Sequence, residues 1–210
     1  MVFRSYKDII SDNLLLLYVI SKSTHLGRTK LQKLVYLIEC IFSKKKIKTF
    51  NYNFKRWNYG PFTKEIFEDS ESLVENHIII DQTTQISNRG KEILEQTKEI
   101  FEDNKDLINE IDKIIDKYDK LDFDELIKTV YNSKVEIDGE FLRVEDVPMS
   151  TFLKTRISEE SEQNKLNITE EWFETLDILL DSEFYDSLNK AAEDAETDQY
   201  YSYDEVFSDV

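Results

Sequence analysis

Residues 29–61 read TKLQKLVYLIECIFSKKKIKTFNYNFKRWNYGP. Within this stretch the apolar period changes once. Leu31, Leu34, Val35, Ile38 and Ile41 recur at the spacing of one helix face, with Lys30 and Lys33 outside the stripe. A helix from Lys30 to Phe42 is expected, with Thr29 as its N-cap. Lys44, Lys45, Lys46 and Lys48 close it, where cations meet the negative end of a helix dipole. Phe50, Tyr52 and Phe54 then alternate with Asn51, Asn53 and Lys55, the two-residue period of a strand reaching Trp57. Asn58-Tyr59-Gly60-Pro61 is a turn.

The pattern extends in both directions. Towards the N-terminus, Ile9 to Ser21 reads as a helix so dense in leucine (Leu14, Leu15, Leu16, Leu17) that it is buried on most sides. Ser23 to Gly27 is a break. Towards the C-terminus, Thr63 caps a helix to about Asn76, with Ile66, Phe67, Leu73 and Val74 inward. Ile78-Ile79-Ile80 and Gln85-Ile86-Ser87 flank a turn at Asp81 to Thr84, and a helix follows from Lys91 to Phe101. Helix, helix, strand, turn, helix, two-stranded ribbon, helix is an order that resembles a winged-helix module. Two further helices are expected, Asp106–Tyr118 and Phe123–Tyr131, the second capped by Asp122 or Asp124. Val135 to Val147 carries few helix signals, with a turn at Ile137 to Glu140. Ser158 to Lys165 is polar and aperiodic, the composition of a linker. The fold class is therefore α+β, mostly helical: a winged-helix-like N-terminal module with a small β-ribbon, extra helices and a helical C-terminal arm.

Composition agrees. The 210 residues hold only 4 Gly and 2 Pro with 34 % charged residues, while 40 % hydrophobic residues suffice for a core. No apolar run approaches bilayer length, so no membrane partner and a cytoplasmic location are expected. Cys40 is the single cysteine, which precludes an intramolecular disulfide and reads as a small buried hydrophobe. His25 and His77 are isolated, and there is no Gly-rich phosphate loop. No metal, no cofactor and no enzymatic activity are expected.

The net charge of −17 is uneven. Residues 1–60 carry 12 Lys/Arg against 3 Asp/Glu, whereas 158–210 carry 2 against 17. Lys44, Lys45, Lys46, Lys48, Lys55 and Arg56 are the residues that would contact operator DNA; a solvated basic face reads them equally well.

The acidic end is also apolar. Thr169 caps a helix in which Trp172, Leu176, Leu179 and Leu180 form a stripe widened by Phe173. Asp181-Ser182 breaks it. A second helix, Glu183 to Glu196, aligns Phe184, Leu188, Ala191, Ala192 and Ala195, and Tyr200, Tyr201, Tyr203, Val206 and Phe207 follow in an extended piece. A segment this short has no core of its own. It packs either on the preceding domain as a helical pair or on a partner through helix-in-groove and strand-addition contacts. Its acids suit a basic partner.

Two sets of these residues carry resemblances. Lys30-Leu31-Gln32-Lys33-Leu34-Val35-Tyr36, followed by Trp57-Asn58-Tyr59-Gly60-Pro61 and a weaker match at Phe123 to Tyr131, resembles the SocA-like, or Panacea, antitoxin domain over roughly residues 10–135. The motif residues Lys30, Leu31, Gln32, Lys33, Tyr36, Trp57, Tyr59, Gly60 and Pro61 are read as structural. Glu174-Thr175-Leu176-Asp177-Ile178-Leu179 through Tyr203-Asp204-Glu205-Val206 is similar to the toxin-binding ends of Phd/YefM-type antitoxins, with Ser182 where Pro is common. The resemblances imply a domain at 1–150, a linker at 151–166 and a toxin-binding tail at 167–210. They imply an antitoxin of a type II toxin–antitoxin pair, its partner a small basic toxin of RelE/ParE-like kind. The toxin-binding residues would be Trp172, Phe173, Leu176, Leu179, Leu180, Phe184, Leu188, Tyr200, Tyr201, Tyr203, Val206 and Phe207. A winged-helix regulator, a homodimer joined by the tail, and a proteolytic adaptor are the alternatives.

Overall fold

The structure, a computed structural model, describes residues 4–24, 27–45, 47–80, 85–154 and 166–196. Helix α1 (Tyr6–Lys22) opens with a capping box between Ser5 and Asp8. Every residue from Leu14 to Ile20 is buried. Such a helix must be wrapped, and it is: α3 (Glu65–Glu75), α4 (Asn88–Gln96), α6 (Lys105–Tyr118) and α8 (Glu170–Leu180) all pack on it. Burying each of its leucines contributes about 1.5–3 kcal/mol.

Helix α2 (Arg28–Lys44) turns Leu31, Leu34, Val35 and Ile38 inward as their spacing requires. It begins two residues before the expected start. Gly27 stands at the N-cap without a side-chain bond, so the capping role expected of Thr29 is not used. Helix α2 packs against α6 and α7 (Phe123–Asn132). Asp122, of the two aspartates considered, caps α7 by accepting from the Glu125 amide at 2.8 Å.

The aromatic alternation is only partly a strand. Phe50, Tyr52 and Phe54 are all buried, but ladder pairing is confined to β1 (Phe54–Trp57). Strand β1 pairs antiparallel with β2 (Gly60–Phe62) on one side and β7 (Phe152–Lys154) on the other, giving the order β2-β1-β7. Residues ahead of β1 are held by side chains instead. The Asn51 amide donates to Asp12 Oδ1 at 2.9 Å, and the Phe50 amide to Glu39 Oε1 at 2.7 Å.

The expected ribbon forms as β3 (Ile79–Ile80) and β4 (Gln85–Ile86). Ser87 caps α4, accepting from the Gly90 amide at 3.0 Å. The single helix expected from Lys91 to Phe101 is two, α4 and α5 (Lys98–Asp103), which meet at the buried Thr97. A hairpin of β5 (Lys134–Ile137) and β6 (Glu140–Arg143) fills the stretch with few helix signals. Asp138 and Gly139, both at positive φ, make its two-residue turn. Strand β7 lies inside 151–166, the span expected as a linker; 158–165 falls outside the described residues.

Candidate functional site

The helix and turn motifs meet. Gln32 and Thr63 exchange two hydrogen bonds, at 2.6 and 3.0 Å, and Lys33 Nζ donates to the Pro61 carbonyl at 2.6 Å. Tyr36 is buried edge-on to Phe54, with ring centroids 5.2 Å apart. Lys30 pairs with Asp119 at 2.9 Å. Gly60 takes φ +89°, which a side chain would strain. Gln32 and Lys33 thus tie α2 to the β1–β2 turn, and Lys30 ties it to the end of α6. Lys33 has no carboxylate partner among the described residues; burial and the nearby Arg56 charge lower its ammonium to about 8. Trp57 and Tyr59 differ from the rest of the motif, since both rings face solvent.

The six cations considered for phosphate contact do not act as one set. Lys45 pairs with Glu110 and Lys48 with Asp8. Lys44 is exposed, and Lys46 lies outside the described residues. Lys55 lies over the Phe152 ring and Arg56 over Tyr131, with Arg56 Nε donating to the Val144 carbonyl at 3.0 Å.

The acidic arm divides in two. Helix α8, capped by Thr169, lies against α1, with Leu176 and Leu179 buried. Trp172, Phe173 and Leu180 are partly buried against the same core. Of the two packings open to the arm, α8 thus takes the one on its own domain, and its apolar stripe is already covered. Polar groups fix both ends. Asn104 donates to the Asn167 carbonyl at 2.9 Å and accepts from its amide at 2.7 Å. Asn76 accepts from the Ser182 amide at 2.9 Å, and Arg89 Nη2 donates to the Leu179 carbonyl at 3.0 Å. Lys7 pairs with Glu170 and lies over the Phe173 ring. Asn76, Arg89 and Asn104 escape a sequence reading because their partners are backbone groups in the arm.

Helix α9 (Ser182–Glu196) is different. Asp181 caps it, accepting from the Phe184 amide at 2.9 Å. The Ser182 amide beside it is committed to Asn76. Past its root, where Arg89 lies over the Tyr185 ring at 4.7 Å, α9 carries an exposed apolar face. Phe184 is 50 % exposed and Leu188 42 %, and Ala191, Ala192 and Ala195 are exposed with them. Glu183, Asp186, Glu193 and Asp194 occupy the remaining arc. Tyr200, Tyr201, Tyr203, Val206 and Phe207 lie outside the described residues. Among the expected toxin-contact residues that are described, only Phe184 and Leu188 stand open.

The helical body thus brackets an acidic arm by its root, and the arm presents one apolar helix face. Residues 31–136, half of the chain, match the family model described as antitoxin SocA-like, Panacea domain, and the chain belongs to that family. No curated protein and no solved structure matches it. No helix among the described residues is long and apolar enough to cross a membrane.

Proposed function

We propose that this chain is the antitoxin of a type II pair, acting in the cytoplasm, and that it neutralises a protein toxin by direct binding and not by catalysis. The contact is the apolar face of α9 with the aromatic segment beyond it. Helix α8 is its bracket. The observation that carries this reading is the exposure of Phe184 and Leu188 on a helix whose root is fastened by Asn76 and Arg89. Large apolar residues dominate interface energies. The acids on the opposite arc match a small basic toxin and would speed its association.

The reading requires a small basic reading frame next to this gene, and the test is co-expression with its product. The wild-type chain should restore growth. Phe184→Asp with Leu188→Asp should abolish rescue while leaving the melting temperature unchanged, because both side chains are exposed. Undiminished rescue by that double variant overturns the assignment of α9. A cut at residue 160 is a poorer test, because it also strips α8 from α1.

A further inference from the structure

Helix α9 stands clear of the body past Tyr185. From Asp186 to Ala195 every residue except Asp194 is exposed. An isolated helix of this length is marginal in water, so α9 calls for a covered face. Its apolar residues mark that face. Phe184, Leu188, Ala191 and Ala195 recur at intervals of four, three and four residues, the seam of a coiled coil. At 3.6 residues per turn they fall, together with Ala192, within an arc of about 100°. Glu183, Asp186, Glu193 and Asp194 all lie outside that arc.

The seam is graded in size. Its root end carries Phe184 and Leu188, and its outer end Ala191 and Ala195. A second α9 laid antiparallel puts Phe184 opposite Ala195 and Leu188 opposite Ala191, so each large side chain of one copy meets a small one of the other. A parallel pair would set ring against ring and hold the alanines apart. We propose that α9 pairs antiparallel with α9 of a second copy of this chain, an isologous contact about an axis between Asn189 and Lys190. The acids on the outer arc leave the seam uncharged, and the two bodies, rooted at Ser182, lie at opposite ends of the pair. Five side chains per copy bury less than the roughly 800 Å² per partner of a stable complex, so the dimer is weak, on the order of 10–100 µM. The pairing needs no toxin and does not rest on that reading. If both hold, toxin and second copy exclude each other on one face, and the weaker pairing gives way.

Sedimentation equilibrium of the full chain alone, from about 1 to 300 µM, tests this. A monomer–dimer equilibrium is expected. Salt at about 1 M should tighten it, because two chains of net charge −17 repel each other. Ala191→Trp should raise the dissociation constant at least about tenfold, since Leu188 of the second copy then has no room. Phe184→Ala should raise it on the order of tenfold by emptying the other contact. Both side chains are exposed in the single chain, and circular dichroism checks that the variants fold. Spin labels read the direction. In an antiparallel pair, labels at Glu183 are offset by about 20 Å along the helices and labels at Lys190 by about 2 Å, so the Lys190 distance should be the shorter. A monomer throughout the range, an association that salt loosens, equal label distances, or a dissociation constant unmoved by both variants would overturn the proposal. No toxin is present, so the outcome is independent of the rescue assay.

Discussion

Arg4 grips Asp69 with both arms of its guanidinium, Nη1 to Oδ2 at 2.6 Å and Nη2 to Oδ1 at 2.8 Å. The same Nη1 reaches Asp12 Oδ2 at 3.0 Å. Tyr52 donates its hydroxyl to Asp69 at 2.8 Å and lies under the guanidinium. Two buried carboxylates from α1 and α3 thus share one cation supplied from outside any helix. Charge-assisted forks of this kind hold geometry well, and this one sets α1, α3 and the aromatic run before β1 in register.

Removing that cation strands both acids. Arg4→Met should destabilise the fold by about 3–5 kcal/mol, the usual cost of breaking a buried pair from one side. Urea unfolding measures it. A loss under about 1 kcal/mol would mean that water or another cation already serves the site.

The shared cation also predicts a pH dependence. Burial raises the Asp12 carboxyl to about 8 against the pull of Arg4, and the neighbouring Asp69 charge pushes the same way. A carboxyl with a raised folded-state pKa binds its proton more tightly in the native state. Its contribution is fully present below the ordinary carboxylate range and is lost as pH rises through about 8. Urea midpoints should therefore fall between about pH 4 and 8, by at most about 1.4 kcal/mol per unit. Asp12→Asn, which keeps an acceptor for the Asn51 amide, should flatten that slope. An identical slope in the variant would assign the effect elsewhere.

Asn104 should govern how firmly α8 is held. Asn104→Ala removes both bonds to Asn167, at a local cost of about 0.5–1.5 kcal/mol each. Amide exchange in α8 should accelerate roughly tenfold to a hundredfold while α1 and α2 stay protected. Leu176→Ala should do the same more strongly, at about 2–5 kcal/mol. Uniform acceleration across the whole chain would show that α8 has no separate opening.

Gly90 is the most tightly packed of the four glycines. A Cβ there would run into the Ile78 carbonyl oxygen and lie 2.8 Å from Ile86 Cγ1. Gly90→Ala gains helix propensity but must push α4 off the ribbon. A net loss of about 1–3 kcal/mol is expected, read as a lower melting temperature. A stabilised variant would mean that the ribbon gives way freely.

The residues that a periodic reading captured are those whose environment repeats. Leu31, Leu34, Val35 and Ile38 lie where their spacing puts them, and Phe50, Tyr52 and Phe54 share one buried side. The residues it could not capture answer to neighbours far along the chain. Asp12 in α1 answers to Asn51, 39 residues on, and Asp138-Gly139 builds a hairpin whose strands carry too few apolar residues to announce it. The arm is the clearest case. Leu176 and Phe184 sit on similar amphipathic helices, yet one is buried and the other open. Helix α8 packs along α1 while α9 is held only at its root, by Asn76 and Arg89, and neither of those lies in the arm.

The bracketing of α8 against α1 has a consequence for synthesis. Roughly 150 residues separate the two helices in the chain, so at about 5–20 residues per second the leucine-rich face of α1 waits some 8–30 s for its cover. A nascent or clipped chain that ends before α8 bears an uncovered apolar strip along its central helix. Such a strip is what chaperones and proteases recognise, so an unfinished copy of this protein is marked for removal by the same surface that the finished copy hides.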